Sequence, residues 1–330
     1  MKKLLKLLGI ITLTVVIGFV LSCGGRPGGG GGNGNNSSNS GGNGGDGNSG
    51  GGGGDSGLGI EMVLIPAGGF FMGRPGDVLV EKQHHVILTK DFYMGKYPVT
   101  QGQYFTVTGK TLMDQAYLDD VVGKSKVYYN GEPDSGTIGD DLGMYCVTWV
   151  EAVVFCNKLS MLEGYTPAYH LYGETDPDKW VEEHGELPRG VGEPSLGYFS
   201  SPYNDIEIVT GSTGYRLPTE AQWEYAHRGD YPNKGTETAT NDFYAGGGDE
   251  NNYGLFFGYS FVPKEWSWDW FDYEEYNGEE IDPQGTSVKK LMRAYRFGTT
   301  CSPQREGDAL SSPGDGPWED TVGFRLVLPL

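Results

Sequence analysis

Basic side chains are scarce: 24 Lys and Arg stand against 44 Asp and Glu, for a formal charge of −20. Removing a leader that holds Lys2, Lys3 and Lys6 takes the remainder from −20 to −23. Proteins that neutralise phosphates need a basic face, so nucleic acid is excluded as a partner. Bulk charge likewise opposes adhesion to anionic lipid. Cysteine is rare too, and four residues, one of them in the leader, are too few for a disulfide-built scaffold. The five histidines are scattered, with no HExxH and no His/Cys spacing suited to zinc. Neither a Gly-x-Ser-x-Gly elbow nor a P-loop nor a usable dinucleotide fingerprint occurs outside one Gly-rich segment. No metal and no cofactor is therefore expected. The acidic pairs Asp119-Asp120, Asp140-Asp141 and Glu279-Glu280 have the chemistry of Ca²⁺ ligands but read as solvated loops.

What is present begins with an address. Met1 to Lys6 is basic, Leu7 to Val20 is apolar, and Ser22 precedes Cys23. The apolar stretch is too short for a membrane span and fits a secretory signal over residues 1–22. A small residue before Cys at the cleavage point resembles a bacterial lipobox, in which Cys23 is lipidated. Acyl chains partition by about 0.8 kcal/mol per buried CH₂, so a lipid anchor at Cys23 would hold the protein on a membrane. Outer-membrane, cell-surface display is the expected location. Residues 23–57 follow as a tether, with 19 Gly in the 34 positions from Gly24 to Gly57. Such a segment has nothing to bury, is expected to be disordered, and spans roughly 30 Å as a flexible coil.

Residues 58–330 read as one α+β domain, expected to be monomeric. Strand signals occur at Ile60 to Ile65, stopped by Pro66, at His85 to Leu88 and at Phe92 to Gly95. Thr100 with Gln103, Thr148 with Glu151, and Thr219 with Gln222 each have the spacing of a capping box. The second of these helices carries Trp149, Ala152, Val153, Phe155, Cys156 and Leu159 as an apolar stripe, and Gly229 ends the third. Trp266, Trp268 and Trp270 alternate along a strand and are expected in the core. His84 and His85 are expected at a surface or turn. No helix is expected beyond Gly229.

Several segments together resemble the formylglycine-generating-enzyme-like (sulfatase-modifying factor) family. They are Met62 to Gly73, Phe92 to Thr100, Val147 to Val153, Phe155 to Ser160, Asn251 to Leu255, Glu265 to Trp270 and Val322 to Arg325. The most specific is Gly214-Tyr215-Arg216-Leu217-Pro218-Thr219-Glu220-Ala221-Gln222-Trp223-Glu224-Tyr225-Ala226. The resemblance implies a C-type-lectin-like fold. It also implies a test of catalysis, because those enzymes bind copper with two cysteines toward the chain end. Soft thiolates suit Cu(I), and two hold it. Here that region has Cys301 without a partner. Cys146 and Cys156 lie elsewhere, as buried thiols or joined to each other. No enzymatic activity is expected. An extracytoplasmic oxidase and a carbohydrate-binding lectin-like module are the alternatives.

Where the family normally has Arg-Gly-Gly-Ser-Trp, this chain has Arg293-Ala294-Tyr295-Arg296-Phe297. The departures are confined to about 293–321, between flanks that keep the pattern. A lipid-anchored family member with such a patch resembles the variable proteins of diversity-generating retroelements, including treponemal lipoproteins of that kind. Those systems randomise adenines, and the AAC codon then yields residues that include Ala, Tyr, Arg, Phe, Gly and Thr. Ala294, Tyr295, Arg296, Phe297, Gly298, Thr299 and Thr300 all belong to that set, and Trp318 does not. Tyr, Trp and Arg are enriched at binding hot spots, and Thr hydroxyls adapt to varied acceptors. The expected ligand surface is therefore Ala294 to Thr300 with Trp318 and Asp320, binding an unidentified protein or glycan. Phe297 and Trp318 fit a core role equally well. The patch is expected to be a loop held by the Trp-rich strand and by a closing strand over Val322 to Leu328.

Overall fold

The computed structural model describes residues 58–73, 83–112, 114, 128–129, 132–133, 138–188, 201–229, 250–257, 264–270, 278–284, 293–299, 302–308 and 322–330. For 128–129, 132–133, 293–299 and 302–308 the backbone alone is described. The first sheet takes β1 (Met62–Ile65) and pairs it antiparallel with β4 (Phe92–Gly95). In the second, β2 (Gly68–Met72) pairs antiparallel with β3 (His84–Leu88). Alternation in β3 buries His84, Val86 and Leu88 and leaves His85 and Ile87 half-buried. His84 is thus a core-facing residue, not the surface or turn residue expected, because it falls on the same face as Val86. His85 reaches outward, its Nδ1 2.9 Å from Glu279 Oε2.

Helix α1 (Gln101–Thr108) starts at Thr100, whose side chain and that of Gln103 complete a capping box. A short hairpin, β5 (Tyr128–Tyr129) and β6 (Glu132–Pro133), follows. Helix α2 (Trp149–Leu162) has the second capping box, Thr148 with Glu151. Its burial exceeds the expected stripe, since every residue from Trp149 to Asn157 is buried. Polar members of that run are satisfied internally: Asn157 Nδ2 donates to Tyr169 O at 2.8 Å, and its Oδ1 accepts from Tyr169 N at 3.0 Å. Asn157 therefore clamps β7 (Tyr169–Leu171) to the helix.

A helix not anticipated from the sequence, α3 (Pro177–His184), starts at Asp176 with Pro177 in its first turn. Only Pro177 and Trp180 of α3 are buried, which leaves too little apolar periodicity to read. A 3₁₀ turn (Pro202–Asp205) leads to β8 (Ile206–Ile208), antiparallel to β7. Helix α4 (Glu220–Arg228) carries the third capping box and ends at Gly229, which adopts φ +60°. All nine of its residues are buried, polar ones included.

The remaining strands are β9 (Lys264–Trp270), β10 (Glu280–Ile281), β11 (Arg293–Thr299), β12 (Ser302–Asp308), β13 (Val322–Phe324) and β14 (Val327–Pro329). β10 joins β3 in parallel and β14 joins β4 antiparallel. The others form a sheet in the order β12-β11-β9-β13. The expected single closing strand is two strands in two sheets, split at Arg325 and Leu326.

Two apolar clusters hold this together. The larger gathers α1, α2, the β7–β8 ribbon and one face of β9, including Trp149, Phe155, Trp180, Trp266 and Phe324. The smaller packs β1 to β4 against Ala221, Trp223, Tyr225 and Ala226 of α4. Fully burying a large apolar side chain contributes roughly 1.5–3 kcal/mol, so these clusters dominate the folding energy. Among the described residues, no helix is long and apolar enough to cross a membrane.

Candidate functional site

Strand β9 is the element on which the candidate patch rests, and both of its faces are buried. On one face Trp266 Nε1 donates to Val147 O at 2.7 Å, and Trp149 Nε1 donates to Ser267 O at 2.9 Å. Trp268 stacks on Tyr169 with centroids 5.0 Å apart. The expected core role of these indoles holds. The opposite face carries Glu265, Ser267 and Asp269, all buried. Asp269 Oδ2 accepts from Glu220 N at 2.8 Å, fixing the start of α4. Glu265 Oε2 accepts from Trp223 Nε1 at 2.6 Å, and both Glu265 oxygens accept from Arg325.

Arg325 sits where β13 ends and β14 begins, fully buried. Beyond Glu265, its Nη1 donates to Gly95 O and Lys96 O at 2.8 Å each, and its Nη2 to Phe256 O at 2.9 Å. All five guanidinium N–H groups are thereby used. The plane also lies over the Phe257 ring at 4.3 Å. A charge this deep is tolerable only when paired and fully hydrogen-bonded, and this one is. In the sequence Arg325 is a lone charge between Phe324 and Leu326, a signal of burial that does not name Glu265 as its partner.

On this frame the backbone of Ala294, Tyr295, Arg296, Phe297, Gly298 and Thr299 lies in β11. The patch is a strand there, correcting the expected loop. It runs antiparallel to β12 along its whole length, and antiparallel to β9 through Arg293, Tyr295 and Arg296. Tyr295 is in register with Trp266 and Glu306, and Arg296 with Glu265 and Arg305. The pairing with β9 shifts register between Arg293, opposite Trp270, and Tyr295, opposite Trp266. β9 flanks the patch as expected. β13 pairs with the other edge of β9, with Gly323 opposite Glu265, and is not a ladder neighbour of β11. Thr300, Cys301, Trp318, Asp320 and Cys23 lie outside the described residues.

Cys146 and Cys156 are buried thiols, so they are not joined to each other. Burial pushes the Cys156 thiol well above its ordinary range, the opposite of what a thiolate metal ligand needs. Among the described residues, no group of three His, Cys, Asp or Glu is arranged to hold a metal. Asp140 and Asp141 are exposed, as expected of a solvated loop.

Comparison with known proteins agrees with this architecture. Treponema denticola variable protein 1 superposes with a TM-score of 0.55 at 23% identity, over 82% of this chain and 95% of its own. PvdO from Pseudomonas aeruginosa aligns at 18% identity with a TM-score of 0.47, over 82% of this chain and 95% of its own. In sequence, the Chaperone protein LppX of Paenibacillus barcinonensis is 31% identical over 170 residues. That match covers 51% of this chain and 45% of LppX, so less than half of the relative's length is represented. The model of the sulfatase-modifying factor enzyme 1-like domain matches residues 56–330. With an α+β, C-type-lectin-like fold and that match over most of its length, the chain belongs to the formylglycine-generating-enzyme (sulfatase-modifying factor) family.

Proposed function

We propose that this chain is a non-enzymatic, ligand-binding protein of the cell surface, held to a membrane by lipid on Cys23. The tether over 23–57 lifts the domain 58–330 from the lipid. The patch over about 293–321, diversified by a retroelement, presents Tyr295, Arg296, Thr299 and Thr300, with Phe297 and Trp318 as further anchors, to varied protein or glycan ligands. The supporting observation is the placement of β11 between two hydrogen-bonded neighbours. At Tyr295 and Arg296 the backbone is paired on both sides, and a backbone held by its ladder tolerates exchange of side chains, because the bonds that position it involve no side chain. Fold likeness to a protein described as variable is consistent with this use.

The test is binding of the lipidated protein to a glycan array and to a panel of extracellular-matrix proteins. Tyr295→Ala and Arg296→Ala are each expected to weaken any captured ligand by about 30-fold, the equivalent of a 2 kcal/mol hot spot. Binding that survives both changes undiminished would remove the patch from the interface. Copper-dependent oxygen uptake with a cysteine-containing peptide, lost on Cys301→Ser, would establish the oxidase reading instead. Cys23→Ala is expected to release the protein from the membrane fraction. Across isolates, adenine-specific scatter is expected in the codons of the patch and not elsewhere.

A further inference from the structure

A second place in the fold has the character of a binding site and shares no residue with 293–321. It is a cavity of about 560 Å³, within the range of small-molecule sites. Its walls come from the corner between β3 and β4, the turn after β8, the segment after β10, and the start of α4. Arg216 lines it, and its main chain is locked by two bonds with Val327, N to O at 2.9 Å and O to N at 2.8 Å. The guanidinium is held from one side. Nη1 donates to Leu217 O at 3.1 Å and to Gln222 Oε1 at 2.8 Å. Nε and Nη2 have no hydrogen-bond partner among the described residues.

The contrast with Arg325 is informative, because there every N–H group is satisfied. Arg216 is only partly buried, and burial opposes its charge, yet a guanidinium does not lose its proton. Two carboxylates share the wall, and neither is hydrogen-bonded to Arg216. Asp91 Oδ1 accepts from Ala67 N at 2.7 Å, and Asp282 accepts from the backbone and hydroxyl of Thr89. Lys90, also at the wall, forms no ion pair among the described residues. The cavity thus has the open Nε/Nη2 edge of Arg216, an unpaired Lys90, and two carboxylates whose hydrogen bonds go to other groups.

We propose that this cavity binds a small anionic ligand through a carboxylate or phosphate group, seated on the free edge of Arg216 with Lys90 at the rim. A fixed fork of parallel N–H donors matches both oxyanions bidentately, and partial desolvation strengthens the bonds. Acetate and inorganic phosphate are the probes, added to the full chain at constant ionic strength balanced with NaCl. The readout is the Arg216 Nε–Hε signal in ¹H–¹⁵N spectra, assigned by through-bond experiments. A saturable shift of that signal is expected, and whichever probe saturates it at lower concentration identifies the group. Lys90→Glu, an exposed change that leaves the packing intact, is expected to raise the half-saturating concentration at least tenfold. A non-saturating drift equal to that produced by chloride overturns the proposal. So does saturation that Lys90→Glu leaves unaltered.

Discussion

Glu265 and Arg325, 60 residues apart in the chain, meet through two N–H···O bonds of 2.9 Å each, with both side chains inaccessible to water. The pair ties β9 to the break between β13 and β14, and Trp223 brings α4 to the same carboxylate. Removing one charge strands the other. Glu265→Gln is expected to lower stability in urea unfolding by about 3–5 kcal/mol. Replacing both partners by apolar residues should not restore it, because the carbonyls of Gly95, Lys96 and Phe256 then lose their donors. A double variant as stable as the wild type would show that these carbonyls do not depend on Arg325.

The helix starts differ in how deeply their caps are buried. Thr148 is 1% exposed and exchanges bonds with Glu151 at 3.2 and 3.0 Å, whereas Thr100 is half-buried. Thr→Ala at an N-cap costs about 0.5–2 kcal/mol, and Thr148→Ala is expected at the upper end with Thr100→Ala below it. Equal midpoints for the two variants in chemical denaturation would contradict that order.

Gly214 in the turn before α4 has no room for a side chain. A Cβ there would collide with the carbonyl of Thr166 and come within 2.9 Å of Ser160 Cβ. Gly214→Ala is expected to cost about 1–3 kcal/mol through forced displacement of backbone. At Gly139 a Cβ meets only the Leu142 side chain, at 3.5 Å, so Gly139→Ala should stay within about 0.5 kcal/mol. Thermal unfolding of the two variants gives the comparison directly.

Alkaline pH acts on groups buried in their neutral form. Burial raises the pKa of Cys156 from an ordinary 9.0 and that of Tyr203 from 10.0. Tyr215 rises from 10.0 for the same reason, aided by its hydrogen bond to Glu163. Raised folded-state values mean that the native state keeps protons the unfolded chain releases. The stabilisation is therefore complete below pH 9 and is lost as pH rises above it, by Cys156 first and the tyrosines next. Each group contributes a slope of up to about 1.4 kcal/mol per pH unit. Cys156→Ala is expected to flatten the fall between pH 9 and 10, and a slope unchanged by that substitution would refute the assignment.

Local chemistry decided much of this protein from the sequence alone. All three capping boxes are formed as their spacing requires, since the bonds involved connect residues three apart. Pro66 follows the end of β1, and Gly229 ends α4 with the positive φ that glycine allows. The alternation of Trp266, Trp268 and Trp270 identified a core strand, and the order of motifs identified the family. Tertiary structure decided what depends on partners distant in the chain. Only β9 and β12 make Ala294 to Thr299 a strand, because ladder bonds come from neighbours that the segment itself does not specify. Arg325 divides the closing segment because its acceptors, on Glu265, Gly95, Lys96 and Phe256, converge only in the folded chain. The two arginines are alike in sequence as single cations in apolar surroundings. Their difference, five donors used at Arg325 and an open edge at Arg216, exists only once the chain has brought carbonyls to one and a cavity to the other.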